Sequence, residues 1–319
     1  MESYIQERSD RLFNFSKKFS KIDSLLGKCE LPKNIFSDLR TAAQICLYDS
    51  LSSYYPNKLF NLDLTLEAFC LFYRNDIIGL PNITPNGLLM PKIETNNSHN
   101  LLNKKVYNLI EHLSFSEGSK VACPINLRIN FGTNTNPEFT SRPRSSTNWH
   151  TDIWAGQNCN EAMIHTPICG DYEQSGISVS NPQEGFYPDY VKSIPSFLDG
   201  KSVTDKMNEN KINFTMKLGE SYLLDSFLFH KTSLSSNSIR IIVSFPARLK
   251  DKVSSDIYSN PLRDEEFIAI SNWSNLGKSL LLASDKSLAK EIWDDTPKDY
   301  YAGKFNFLDL NEFFNTTEH

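Results

Sequence analysis

The chain is predicted to be α+β, with an antiparallel sandwich or barrel carried between helical flanks. Three observations predict this. Residues 1–120 place apolar side chains at three-and-four spacing, the repeat of amphipathic helices. Residues 121–249 break into short runs, β-branched or aromatic, bounded by Gly, Pro, Asn and Ser. Residues 250–319 return to helix-like patterning. No internal repeat or low-complexity linker divides the 319 residues, so one domain with a single β core is expected.

Within the first third, "LRTAAQICLYDSLSSYY" (39–55) and "LLNKKVYNLIEHLSF" (101–115) are the clearest helices. The segment between them, residues 79–100, is rich in Pro, Asn and Gly and is expected to be a long loop. His99 and His112, both in this first third of the chain, are expected to be solvated or capping. Strands are predicted at 121–131, 161–169, 175–181, 212–219, 221–232 and 239–249. Alternation puts Tyr222, Leu224, Ser226, Leu228 and His230 on one face, and Arg240, Ile242 and Ser244 on one face of the last strand. A turn through 233–238 would join those two strands as a hairpin. In the tail, 264–283 is the strongest helical pattern.

Composition limits the partners. Hydrophobic residues make 39% and charged residues 22%, with a net charge of −5, so no basic field is available for nucleic acid or anionic lipid. The N-terminal residues mix acids and bases without an apolar run, and no apolar stretch is long enough to span a bilayer. Six cysteines without a CxxC read as reduced, mostly buried thiols. The expectation is a cytoplasmic protein with a small-molecule partner, acting neither on nucleic acid nor at a membrane.

The chemistry is concentrated in "TNWHTDIWAGQ" (147–157), where His150 and Asp152 stand two apart between Trp149 and Trp154. Two apart is the repeat of an extended strand, so both side chains can face one point. Alone, this is either part of a metal site or an ordinary hydrogen-bonded pair. His230 and Arg240 follow on neighbouring strands. Two neutral imidazoles and one carboxylate leave open positions on a metal, the arrangement of non-haem Fe(II) oxygenases. A 2-oxo acid and dioxygen take those positions, and the distal carboxylate of the co-substrate needs a fixed cationic fork, which arginine supplies. Arg240 has the right placement, with Ser244 and Thr232 as further hydroxyl partners. The competing readings are a structural His–Asp pair with a core histidine, a metal- or ligand-binding barrel without catalysis, and a zinc hydrolase. The zinc reading lacks an HExxH. A Cys–His nucleophile is poorly supported: Cys159 and Cys169 bracket His165, which is expected near the cavity rim and not as a fourth ligand.

"NWHTDIWAG" and "FLFHKTSLSSNSIRIIVSF" resemble the Fe(II)/2-oxoglutarate-dependent oxygenase superfamily, with its HxD…H…R pattern. The branch most resembled contains phytanoyl-CoA-dioxygenase-like and streptomycin-biosynthesis-like enzymes. The resemblance runs from about residue 121 to 249 and implies a double-stranded β-helix (jelly-roll) there, with helical flanks over 1–120 and 250–319. By position it implies iron ligands His150, Asp152 and His230, a 2-oxoglutarate anchor at Arg240, and Fe(II), 2-oxoglutarate and O2 as cofactor and co-substrates. Halogenating relatives carry a small residue in place of the carboxylate, and the presence of Asp152 disfavours that activity. The implied reaction is oxidation of an unactivated C–H bond in a small polar or anionic metabolite. Hydroxylation, desaturation and oxidative ring closure (as in kainoid formation from an amino-acid-derived substrate) share the ligand set. Substrate contacts are expected from Arg128, Asn130, Arg142, Arg144 and Trp154, with 177–190 as a pocket lid.

Overall fold

A computed structural model describes residues 4–132 without 85 and 124, 146–182, 206–257 without 234, 236 and 237, 259, 267–273, 279–282 and 306–309. Its centre is a pair of strands, β5 (Glu161–Gly170) and β10 (Ile239–Arg248), nearly every residue of which is buried. One face of each strand is apolar, as with Ile239, Ile241, Val243 and Phe245 of β10, whereas the other buries polar groups, among them Arg240, Ser244 and His165.

Around this pair an eight-stranded antiparallel sheet runs in the order β1 (Ser20–Asp23), β2 (Leu26–Glu30), β8 (Glu220–Asp225), β5, β10, β3 (Lys120–Ala122), β11 (Phe267–Ala269). β4 (Asn126–Phe131) shares with β3 the second edge of β10. Pro246, which has no N–H to give, falls between the β4-paired and β3-paired stretches of β10. A register shift beside Pro167 lets β5 bend against β10. A smaller sheet holds β7 (Lys211–Ile212), β6 (Ile177–Ser180) and β9 (Phe229–Thr232).

The two faces of the large sheet have different partners. Ile164, Leu223, Ile241, Val243 and Phe245 point to a core completed by helices α2 (Lys33–Tyr54) and α5 (Asn96–Leu113). Helix α2 buries Leu39, Ala42, Ala43, Cys46, Leu47 and Leu51, the three-and-four stripe that the sequence displays. The short helix α3 (Leu66–Phe72) starts where the Thr65 hydroxyl accepts the Ala68 N–H, and α4 (Arg74–Ile78) follows it directly. The opposite face supplies Leu26, Met163, Tyr222, Leu224 and Ile242 to a second core shared with Ile177, Val179 and Phe229 of the small sheet.

The α+β class and the antiparallel β core are as expected, and several expectations need correction. Residues 96–100 are the first turns of α5 and not loop: Ser98 and Asn100 bond back to the carbonyls of Thr95 and Asn96 at 2.9 and 2.7 Å. His99 is therefore buried and not solvated, with Nδ1 3.1 Å from the Thr95 carbonyl. The predicted strand 221–232 is two strands in two sheets. Asp225 breaks it, its carboxylate accepting the Phe227 N–H at 2.8 Å and its carbonyl the Leu228 N–H at 2.9 Å. Of 212–219 only the start pairs, because the Tyr222 hydroxyl takes the Lys217 N–H at 2.7 Å. β9 and β10 do not form a hairpin: both edges of β10 are already occupied, and β9 pairs with β6.

Neither flank is purely helical. The β1–β2 hairpin extends the large sheet through β8. Over 264–283 the described residues form β11, a short helix α6 (Ile270–Trp273) and strand β12 (Ser279–Leu282), which pairs with β13 (Asn306–Asp309). Pairing of β11 with β3 overrides a weak helical preference among Ser and Asn side chains that compete with the backbone. All six cysteines are free and buried, as expected. Among the described residues no helix is long and apolar enough to cross a membrane.

Candidate metal centre

His150 and His230 face each other across a two-sided backbone bridge: each accepts the other's N–H, at 3.1 and 2.9 Å. Directly paired residues in an antiparallel ladder project to the same side, so the two rings meet, with centroids 4.4 Å apart. Val179 pairs with His230 from the other edge, and Thr232 lies two residues on, sharing that face. Asp152 reaches the same point differently from the expectation. It does not continue a strand but opens a turn, its carbonyl accepting the N–H groups of Ala155 and Gln157 at 3.0 and 3.1 Å. The turn aims its carboxylate back at the rings, with Oδ1 3.7 Å from His230 Nε2. One ligand atom from each of His150, Asp152 and His230 lies within 4.8 Å of the others, and all three residues are buried.

The protonation state follows from the hydrogen bonds. His150 Nδ1 lies 2.8 Å from the Asn148 carbonyl and His230 Nδ1 3.1 Å from the Leu228 carbonyl. A carbonyl can only accept, so each Nδ1 carries the proton and each Nε2 presents a lone pair. Burial is the main reason that both imidazoles stay neutral: it lowers His150 to about 3, helped by the nearby His230, and His230 to about 4. Two imidazole lone pairs and a carboxylate thus converge with no proton between them. That donor set suits a divalent cation of borderline hardness and leaves room on it for further ligands.

Arg240 is 3% exposed and sits on the cavity face of β10. Its Nη1 donates to the Gly176 carbonyl at 3.0 Å, while Nε has no hydrogen-bond partner. No carboxylate among the described residues pairs with it. Desolvation lowers its pKa to about 10, so it stays cationic at neutral pH. Ser244, two residues on, is fully buried with an unbonded hydroxyl. Across β10, three rows line this face: Asn126, Ser244 and His165; Arg128, Ile242 and Pro167; Asn130, Arg240 and Gly170.

Of the expected substrate contacts, Arg128 and Asn130 do line that face, and Asn130 Nδ2 donates to the Asn86 carbonyl at 3.3 Å. Trp154 is buried in the turn after Asp152 and packs edge-on to Phe229 at 5.3 Å, so its visible contact is with the core. Arg142 and Arg144, and residues 183–190 of the expected lid, lie outside the described residues. His165 is buried at the centre of the large sheet and not at a rim. Its ring centroid is 6.5 Å from that of His230, and its Nδ1 is unbonded. The only advance signal for it was the polar residue inside an otherwise apolar strand. The Gly176 carbonyl, being backbone, left no signal at all. A surface depression of about 390 Å³, lined in part by Tyr172, Ile177, Lys211 and Phe214, contains none of the triad.

No family model matches the chain, and no curated protein matches it. Among solved structures it is similar to the non-heme alpha ketoglutarate dependent epimerase SnoN from nogalamycin biosynthesis, at 10% identity over 83% of this chain and 98% of that one, with a TM-score of 0.41. AviO1 from Streptomyces viridochromogenes Tue57 is similar at 10% identity over 78% of this chain and 97% of that one, TM-score 0.41. EctD from S. alaskensis, in a structure with 2-oxoglutarate and 5-hydroxyectoine, is similar at 10% identity over 82% and 86%, TM-score 0.36.

Proposed function

We propose that the chain is a non-haem Fe(II)- and 2-oxoglutarate-dependent oxygenase acting on a small metabolite, with its β core a double-stranded β-helix. Two opposed antiparallel sheets with the site between them support the fold. One observation carries the function: His150, Asp152 and His230 converge as deprotonated donors beside Arg240, a buried guanidinium with no acid partner among the described residues. A structural His–Asp pair would need neither the third donor nor that cation, and burying an uncompensated guanidinium is costly unless an anion arrives.

In this reading His150, Asp152 and His230 hold the iron. With 2-oxoglutarate and O2, ferrous iron supplies the oxidising power to break an unactivated C–H bond. The protein's part is to bind, orient and keep water out. The Nδ1–carbonyl bonds of both histidines lock ring orientation. Arg240 takes the distal carboxylate of the co-substrate as a planar fork, fixed from behind by the Gly176 carbonyl. Ser244 and Thr232 face the same space and offer hydroxyls to it. Burial by Met163, Tyr222, Ile242 and Val179 keeps the site dry, which strengthens each of these contacts.

The test is an anaerobic titration of the protein with Fe(II) and 2-oxoglutarate. A weak visible charge-transfer band, together with succinate release on admitting air, is the expected result. A protein that binds the metal but gives neither signal would instead be the metal-binding barrel or the zinc hydrolase.

A further inference from the structure

Among the described residues, Arg128 is the one charged residue on the cavity face that the proposed chemistry leaves without a task. It projects from β4 on the face of Arg240 and Ser244, paired with Ile242 between them. Its positive charge is felt at His150, His165, His230 and Arg240, residues from four further segments, so it stands where they meet. Among the described residues its guanidinium has neither a carboxylate nor a hydrogen-bond partner, although the residue is only partly exposed.

The cavity's charge does not balance without a further anion. Among the described residues, a bound divalent metal and two guanidinium groups would face the single carboxylate of Asp152. A dianionic 2-oxo acid, seated on the metal and Arg240, leaves one positive charge, and it lies at Arg128. A half-buried guanidinium without an acid is stabilised by the ligand that brings one. His165, buried in the next row with an unbonded Nδ1, adds a polar group beside that position.

We propose, building on the oxygenase reading, that the substrate carries a carboxylate and that Arg128 binds it, separately from the co-substrate anchor at Arg240. Arg128 is a specificity-determining residue: it selects anionic substrates over neutral ones of the same shape.

The probe is hexanoate, with hexanamide as its neutral match. Each is titrated anaerobically into protein loaded with Fe(II) and saturating 2-oxoglutarate, and read as a perturbation of the visible band. In the wild type, hexanoate should bind at least about tenfold tighter than hexanamide, the worth of one charge-assisted contact. Arg128→Gln should abolish that preference while leaving 2-oxoglutarate affinity within about threefold. Arg128→Lys should restore most of it, and unchanged thermal midpoints would separate the effect from misfolding. Three results would overturn the inference: no hexanoate preference in the wild type, a preference that survives Arg128→Gln, or a loss of 2-oxoglutarate affinity in Arg128→Gln as large as in Arg240→Gln. The last would make Arg128 part of the co-substrate site and leave the oxygenase reading standing. Absence of the band in the wild type overturns both.

Discussion

At the residue scale, the two imidazoles of the triad are useful because a backbone carbonyl has already settled which nitrogen carries the proton. Asp152→Ala removes the only charged donor, so succinate release should fall to background in a coupled assay, with metal retention lost on dialysis. Arg240→Gln keeps the iron donors and loses the fork. It should raise the 2-oxoglutarate requirement by about ten- to a hundredfold, read by titrating the visible band, since a charge-assisted contact contributes about 1.5–3 kcal/mol. His99 makes a pH prediction away from the metal. Burial lowers it to about 4, below its ordinary value of 6.5, so the unfolded chain takes up a proton that the folded one refuses. The stability that depends on a neutral His99 is therefore complete above pH 6.5 and is lost as pH falls toward about 4, at up to about 1.4 kcal/mol per pH unit. Urea titrations across that range should show His99→Gln with a shallower slope than the wild type.

At the element scale, helix α1 (Tyr4–Phe15) ties the N-terminal segment to the metal site. Arg8 is fully buried. It donates to Asp225 at 2.8 Å, to the Cys159 carbonyl at 2.7 Å and to Ser226 at 3.0 Å, and stacks on Phe227 at 3.6 Å. Asp225, Ser226 and Phe227 lead through the turn that hands the chain from β8 in one sheet to β9, and hence His230, in the other. Arg11 joins through the Cys159 carbonyl and Asp256. Removing one partner leaves a buried charge, so Arg8→Met should cost about 3–5 kcal/mol by urea unfolding. Adding Asp225→Asn should cost less than the sum of the two single changes, because both act on one pair. The alternation in β10 that placed Arg240, Ile242 and Ser244 on one face is legible in the sequence, because it depends only on neighbours along the chain. The hairpin expected between β9 and β10 was not legible: a short turn-like segment looks the same whether the next strand folds back on its neighbour or crosses to another sheet.

At the scale of the whole molecule, a net charge of −5 coexists with a cavity that gathers Arg128 and Arg240 around a carboxylate and two neutral imidazoles. A metal bound there ties the loop that carries His150 and Asp152 to the small sheet that carries His230. Metal should therefore stabilise the fold by about 2.7 kcal/mol at a hundredfold excess over Kd. Calorimetry should show a higher Tm with added Fe(II) or Co(II), a return to the original value with chelator, and no shift in Asp152→Ala. Failure of the wild type to shift would mean that the triad holds no metal.

What the amino-acid sequence determined by itself was the donor set His150, Asp152 and His230, the cation Arg240, the α2 stripe and the two-residue alternation of the core strands. Each depends on residue identity or on spacing within one element. The tertiary structure alone decided that the N-terminal hairpin joins the large sheet, that Asp152 acts from a turn, that His165 lies near the triad and that β9 leaves β10 for β6. Those outcomes depend on which strand edges remain open and how much apolar surface each pairing buries, quantities that exist only once distant segments have met.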